Sequence, residues 1–319
     1  MVRASIEPEA PRRVGGLIGE LSPAYDQLGE TRVLARVSPT QLRIACLCPL
    51  QVWYAGRTPS ETAAPTLGLA IGQIVHAVRA RITALQFSRY VQAESEADLA
   101  REINQELKSL IESGFMSHYY ISVFGERAEV ARVEWTERLL SLERLRASRA
   151  SRSWGEGLRG IRLARACCPT QTEVEWFDPA LDMHGFCDEL WTSGRFHRPV
   201  ELKTSPHTPT HLRANRSQVA AYGYLASHVG ELEVDYCEVE YLEDGYRDKF
   251  RYGKEWAGRV LQEARRVKRI LTNQDPPTGT PSREVCAWCP FQSQCPQSLA
   301  PDVDTALRAL DVYAEREMD

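Results

Sequence analysis

Between residues 172 and 205 the apolar and polar positions fall into three short runs separated by turn residues. TEVEWF (172–177), HGFCDELWT (184–192) and PVELKTS (199–205) predict three successive strands. The pattern then lengthens to a helical period over about 211–228. ELEVDYCEVEYL (231–242) and YRDKFRYG (246–253) predict a hairpin, and WAGRVLQEARRVKRIL (256–271) a helix with a basic end. Upstream, SPTQL predicts a helix start with Ser38 as N-cap and Pro39 at the first helical position. TLGLAIGQIVHAVRARITAL (66–85) carries an apolar stripe at helical spacing, and 97–150 reads as charged helix. A short helix is expected after the last cysteines. Residues 1–37 show weak periodicity and read as an N-terminal arm. Together these elements predict an α/β fold: a mixed sheet flanked by helices, with a helical, arginine-rich insertion over about 95–168.

Composition narrows the class of protein. The chain has 319 residues, 43% of them hydrophobic, and a formal charge of -4. That suits one large domain or two modest ones with a buried core, and any surface for nucleic acid must be local. The N-terminus shows no apolar leader and no run approaches a membrane span, so the expectation is a cytoplasmic protein without a membrane partner. Nine cysteines then read as metal ligands or buried thiols rather than disulfides. Three of them stand in CAWCPFQSQC as Cys286, Cys289 and Cys295. A C-x2-C-x5-C run asks for a fourth ligand elsewhere.

The strand 199–205 carries candidate chemistry. Alternation puts Glu201 and Lys203 on one side, with Val200 and Leu202 on the other. An E-x-K pair taken alone is more often a surface ion pair. Thirteen residues upstream, on the neighbouring strand, is Asp188; paired with Glu201 it would offer hard oxygen ligands for Mg²⁺ or Mn²⁺. Gly185 fits a bulge or a close backbone approach. Gln218 and Tyr222 share a helical face at i, i+4; an ordinary half-buried face is the simpler reading of that pair. His76, in GLAIGQIVHAV, is either a core histidine or a nitrogen ligand that would favour Mn²⁺.

The ordered set G-x3-H, G-x2-D, E-x-K, Q-x3-Y and C-x2-C-x5-C resembles the RecB-like branch of the PD-(D/E)XK nucleases. Within it, the set resembles the iron–sulfur subgroup, which includes the fourth family of CRISPR-associated (Cas) proteins and the exonuclease V type. The resemblance spans about residues 38–296 and implies a restriction-endonuclease-like core, followed by a tail or helix over 297–319. In that subgroup a remote cysteine before proline completes the ligand set. Cys48-Pro49 matches it, with Cys46 two residues away as a competitor. The resemblance implies a [4Fe–4S] cluster on Cys48, Cys286, Cys289 and Cys295, zinc being the alternative for four thiolates.

It further implies that His76, Asp188, Glu201 and the Leu202 carbonyl hold Mg²⁺ or Mn²⁺, that Lys203 assists the attacking water, and that Gln218 and Tyr222 support the site. Glu173 and Glu175 could add an outer carboxylate, but solvated acids on a strand are the simpler reading. The expected activity is that of a deoxyribonuclease, an exonuclease on single-stranded DNA ends in CRISPR spacer processing or DNA repair. Its partners would be DNA, a CRISPR integrase complex or repair proteins, with room for oligomerisation. The other readings are a non-catalytic DNA-binding or scaffold subunit and a zinc-stapled protein of another function. No G-x4-G-K-[ST] motif occurs, so no ATPase accompanies the nuclease. Seven arginines (144, 146, 149, 152, 159, 162 and 165) face one acid, Glu156, over 144–165. Arg146, Arg149, Arg152 and Trp154 are the candidate DNA contacts there, with Arg265 and Arg269 extending the track; a solvated helix face is the other reading of each run.

Overall fold

A computed structural model describes residues 36–57, 67–99, 104–115, 123–287 and 289–299. Most of the expected arm, parts of the helical insertion and the expected terminal helix lie outside these residues. The chain runs α1 (Pro39–Leu47), α2 (Pro49–Ala55), α3 (Leu67–Gln92), α4 (Glu96–Leu99), α5 (Asn104–Phe115), α6 (Glu126–Gly155) and α7 (Gly160–Cys167). Then come β1 (Gln171–Asp178), β2 (Met183–Ser193), β3 (Phe196–Lys203), α8 (Pro209–His228), β4 (Glu233–Val234), β5 (Tyr236–Tyr241), β6 (Arg247–Arg251), α9 (Lys254–Thr272) and α10 (Arg283–Ala287).

The strands form one mixed sheet ordered β1-β2-β3-β5-β6, with β4 also on β3. Neighbours are antiparallel except β3, which pairs in parallel with β4 and β5. The chain returns to β3 in parallel through α8, as a helical crossover requires. The expected single strand 231–242 is split. Phe196 and His197 pair with β4, Val200 to Lys203 pair with β5, and the register moves by one residue between them. Pro199 lies in the gap on β3 and has no N–H to give a ladder. Asp235 is the extra residue.

Helices cover both faces. Leu42 of α1, Val219 to Ala226 of α8 and Val260 to Leu271 of α9 bury Cys187, Leu190, Val239 and Tyr241. On the other face α3, α5 and α6 bury Val200 and Leu202. The stripe on α3 is Ala70, Ile74, Val78, Ile82, Gln86 and Tyr90, one residue per turn. A third cluster joins Tyr90, Ala150 and Leu163 where α3, α6 and α7 meet. α1 starts as expected: Ser38 and Gln41 form a reciprocal capping box at 2.9 and 3.2 Å. Just before it, fully buried Val37 bonds to Asp182 O and His184 N beside β2.

Candidate active site

Three elements bring the chemistry together. α3 supplies His76, β2 supplies Asp188, and β3 supplies Glu201 and Lys203. His76 Nδ1 lies 3.0 Å from Asp188 Oδ1, and the Leu202 N–H donates to Asp188 Oδ2 at 2.7 Å. Lys203 Nζ bridges Glu201 Oε1 at 2.6 Å and Gln218 Oε1 at 2.8 Å. Gln218 in turn donates to Thr40 Oγ1 at 3.3 Å. The motif glutamine is therefore a clamp on the lysine. Tyr222, one turn on, is buried and hydrogen-bonded to Gln218; burial, with Glu201 and Asp188 nearby, pushes its hydroxyl well above the usual range and keeps it protonated.

Local backbone explains this convergence. Cys187 and Leu190 both enter the α8-side core, so the two residues between them turn to the α3 side. Asp188 meets His76 there, and Glu189 meets Arg79, one helical turn away. Strict alternation would have sent one of these acids to the opposite face. Across the ladder, Thr172 and Val174 pair with Glu189 and Cys187, while Glu173 between them is unpaired. Its φ of 52° is left-handed, a costly conformation outside glycine. One donor atom each from His76, Glu173 and Asp188 lies within 4.8 Å of the others. Glu173 is thus beside the metal-type ligands, nearer than the outer role its sequence position suggested. Gly185 is the expected close approach: a Cβ there would meet Pro39 Cγ and Cδ at 2.8 Å and Tyr222 Cε1 at 3.0 Å.

The charges are strained against one another. Burial alone would lower His76, but the Asp188 carboxylate outweighs it and raises the imidazole to about 9. Burial of its carboxyl end and the Asp188 charge push Glu173 up to about 7. Burial and Asp188 raise Glu201, and burial lowers Lys203 against the pull of Glu201. Glu201 Oε2 is buried without a hydrogen-bond donor. The His76 imidazole and the Glu173 and Asp188 carboxylates, with the orphaned oxygen of Glu201, whose carboxyl feels the Asp188 charge, make a donor set that fits a divalent cation.

The model for the PD-(D/E)XK nuclease superfamily matches residues 36–296, a stretch that contains every residue of this site. The chain belongs to the PD-(D/E)XK nuclease superfamily. Nucleases of this superfamily use divalent metals and act on DNA, and His76, Glu173 and Asp188 offer donor atoms that could hold such a metal. A solved structure described as "Crystal structure of SSO0001" is similar at 14% identity with a TM-score of 0.31, covering 69% of this chain and 96% of that one. No curated protein matches.

One residue near the PD-(D/E)XK site escaped sequence reasoning. Arg43 of α1 is desolvated, which lowers its pKa, while Glu201, Tyr241 and Tyr222 counteract the loss. Its Nε is buried without a hydrogen-bond partner. Its signal was its place three residues after Thr40, one turn of α1 from the contact to Gln218.

The cysteines divide cleanly. Cys48, Cys286, Cys289 and Cys295 line one small cavity. Pro49 forces the residue before it out of helical geometry, and Cys48 has φ -156° and ψ 112°, at the break between α1 and α2. Cys46 is outside the cavity lining and bonds Ser217 Oγ at 3.3 Å. Burial pushes Cys289 up, and the thiols of Cys48, Cys286 and Cys295 push it further.

The structure places four of the expected DNA contacts where they do not fit that role. Arg146 is buried, 3.1 Å from Thr83 Oγ1 and 3.4 Å from Glu143, so it neutralises an interior acid rather than meeting a phosphate. Trp154 packs in the third core cluster with the Arg159 guanidinium 3.5 Å from its ring centroid, so that face is already taken. Arg265 and Arg269 are exposed on α9, but α9 packs against α1, α2 and α8. They lie across the sheet from α6 and cannot extend its track. Arg149 and Arg152 are exposed on α6.

Proposed function

We propose that this chain is a Mg²⁺- or Mn²⁺-dependent deoxyribonuclease that shortens single-stranded DNA from an end. The observation that carries the reading is the pairing of His76 with Asp188 and of Lys203 with Glu201, two pairs close enough to interact electrostatically, together with a buried Glu201 oxygen that has no hydrogen-bond donor. A cation held by His76, Asp188, Glu201 and the Leu202 carbonyl, with Glu173 alongside, would polarise the scissile phosphate and acidify the attacking water. Lys203, fixed between Glu201 and Gln218, orients that water and offsets the negative charge growing on the phosphate oxygens. Arg43 adds a second desolvated positive charge on the α1 side. Tyr222 stays neutral and packs the floor over Gly185.

The resemblance to the iron–sulfur subgroup takes the reading further. Four thiols around one cavity are the donor set of a [4Fe–4S] cluster, which joins Cys48 to the C-terminal segment. The biological setting in this reading is CRISPR spacer processing or DNA repair, with an integrase complex or repair proteins as partners. Among the described residues no helix is long and apolar enough to cross a membrane.

The test is end-labelled single- and double-stranded DNA incubated with anaerobically purified protein and either cation. The wild type should shorten single strands, and Glu201→Ala and Lys203→Ala should each lose at least about a hundredfold in rate. A wild type that binds DNA with its metals in place and leaves every strand intact would sink the catalytic reading and make the chain a binding subunit.

A further inference from the structure

A second site lies away from this chemistry. An open cavity of about 670 Å³ sits at the start of β3, where the β2–β3 turn meets α7. Lys203 is at the other end of β3, seven residues or about 23 Å away at the rise of an extended strand. Six cations line the cavity: Arg149, Arg162, Arg165, Arg198, Arg247 and Lys249. The one acid in its lining is Asp235.

These cations differ in how they are balanced. Arg198 pairs with buried Glu238, and Arg247 with Glu238 and Glu240. Lys249 lies over the Tyr236 ring, 4.2 Å from its centroid. Arg149, Arg162 and Arg165 have no acidic partner among the described residues. They come from two helices, α6 and α7, and converge on one opening. α7 turns Leu163, Ala164 and Cys167 inward, which leaves Arg162 and Arg165 on its outer side, one turn apart. Bringing like charges together costs free energy unless an anion occupies the space between them.

Aromatic walls define the anion more closely. Trp191, Phe196 and Tyr236 also line the cavity; Arg198, Arg195 and Lys249 cover one face of each ring at 5.3, 5.0 and 4.2 Å, and Phe196 keeps 39% of its surface exposed. A phosphate alone has no use for such walls. An unpaired base stacks on them, whereas a base in a duplex has no free face to offer. The opening is on the α3–α6 side of the sheet, the side from which His76 reaches Asp188.

We propose that this cavity is an exosite for single-stranded nucleic acid: Arg149, Arg162 and Arg165 hold consecutive phosphates and the aromatic walls take an unpaired base. The idea rests on the nuclease reading, since the strand held here is the one whose end would be cut. The arginines of 144–165 thus act through the three that the fold brings to the cavity, joined by residues of β2, β3, β5 and β6.

The test uses Arg162→Ala/Arg165→Ala in the full chain. Both side chains are exposed, and alanine keeps the helix. Binding of a fluorescent single strand of about 20 nucleotides is measured against salt in the Lys203→Ala background, so that nothing is cut; the site size follows known single-strand binders. The expected result is at least about a tenfold weaker affinity and a salt slope smaller by about 1.4, roughly 0.7 for each phosphate left without its arginine. Arg162→Lys/Arg165→Lys should restore the slope. With Lys203 intact, the alanine pair should raise KM on the long strand and leave kcat unchanged. Unchanged affinity and slope overturn the exosite. So does a mononucleotide that displaces the strand at equal phosphate concentration, which would make the cavity a nucleotide pocket. If neither the wild type nor the pair cuts any strand, the nuclease reading has failed, and the binding data still decide whether the cavity holds DNA.

Discussion

Arg43 is the residue whose environment asks most of the chemistry. A guanidinium partly removed from water, with an unpartnered Nε and only part of its desolvation offset by Glu201, is stabilised further when more negative charge arrives. Transition-state charge on a phosphate is such a charge. Arg43→Ala should therefore lower kcat by about ten- to a hundredfold, the scale of one missing stabilising donor. It should also tighten Mn²⁺, because a positive charge beside a ligand has gone; weaker Mn²⁺ in this variant would argue against the assignment. His76 gives a pH signature. Its pKa rises from 6.5 to about 9 in the metal-free fold. The pair with Asp188 thus stabilises that fold fully below 6.5, and the contribution is lost as pH climbs through about 9. A cation needs the neutral imidazole, so binding expels a proton. Mn²⁺ affinity should climb by up to about tenfold per pH unit from neutral towards that pKa. Calorimetry at two pH values checks this, and the dependence should shrink in His76→Ala.

At the scale of elements, α3 does two jobs one turn apart. His76 reaches the site, and Arg79 locks the helix to the sheet through Glu189 at 3.0 Å, Glu143 at 3.3 Å and Glu240 at 3.7 Å. All four are buried. Burial works against the Arg79 charge, and the three acids outweigh it. Removing the cation leaves interior carboxylates unpaired, so Arg79→Ala should destabilise by about 3–5 kcal/mol. Urea titration reads this directly, and a loss under about 1 kcal/mol would mean that the acids simply protonate. The stripe of α3 was legible in the sequence because amphipathic periodicity is local. So were β1 to β3, the crossover helix and the E-x-K pair. The partners of Arg79 were not, because they sit at 143, 189 and 240 and become neighbours only after the sheet and α6 assemble. The positive φ of Glu173 and the double turn of Asp188 and Glu189 toward α3 break the period-two rule from which the strands were read. Both departures lie at the site, where local rules yield to ligand geometry. Arg146 misled for the opposite reason: it belongs to an arginine-rich run by sequence and to the core by position.

For the whole molecule, the four cysteines that line one cavity come from segments separated by more than two hundred residues. Protein contacts already bring the two segments together: Tyr54 stacks on Phe291 at 5.5 Å and donates to Gln294 O at 3.0 Å, and Thr280 donates to Leu47 O at 2.7 Å. The same C-terminal segment braces the catalytic side. Glu284 of α10 accepts from Thr208 and Thr210 at 3.1 and 2.7 Å, where its charge also suits the N-terminus of α8. α8 then carries Gln218 to Lys203. A cluster at the cysteines would consequently hold the lysine clamp from a distance. Closing a loop of this length is worth about 5–6 kcal/mol in chain-entropy models, or roughly 10–20 °C in Tm for a domain this large. Cys48→Ser and Cys295→Ser should each lose bound iron, melt lower by that order, and cut DNA more slowly even with saturating Mn²⁺. Cys46→Ser should keep its iron, since that thiol faces Ser217. Metal analysis beside calorimetry decides the matter: stoichiometric zinc without iron would replace the cluster by a single ion while leaving the staple argument intact, and an unchanged Tm in all three variants would remove it.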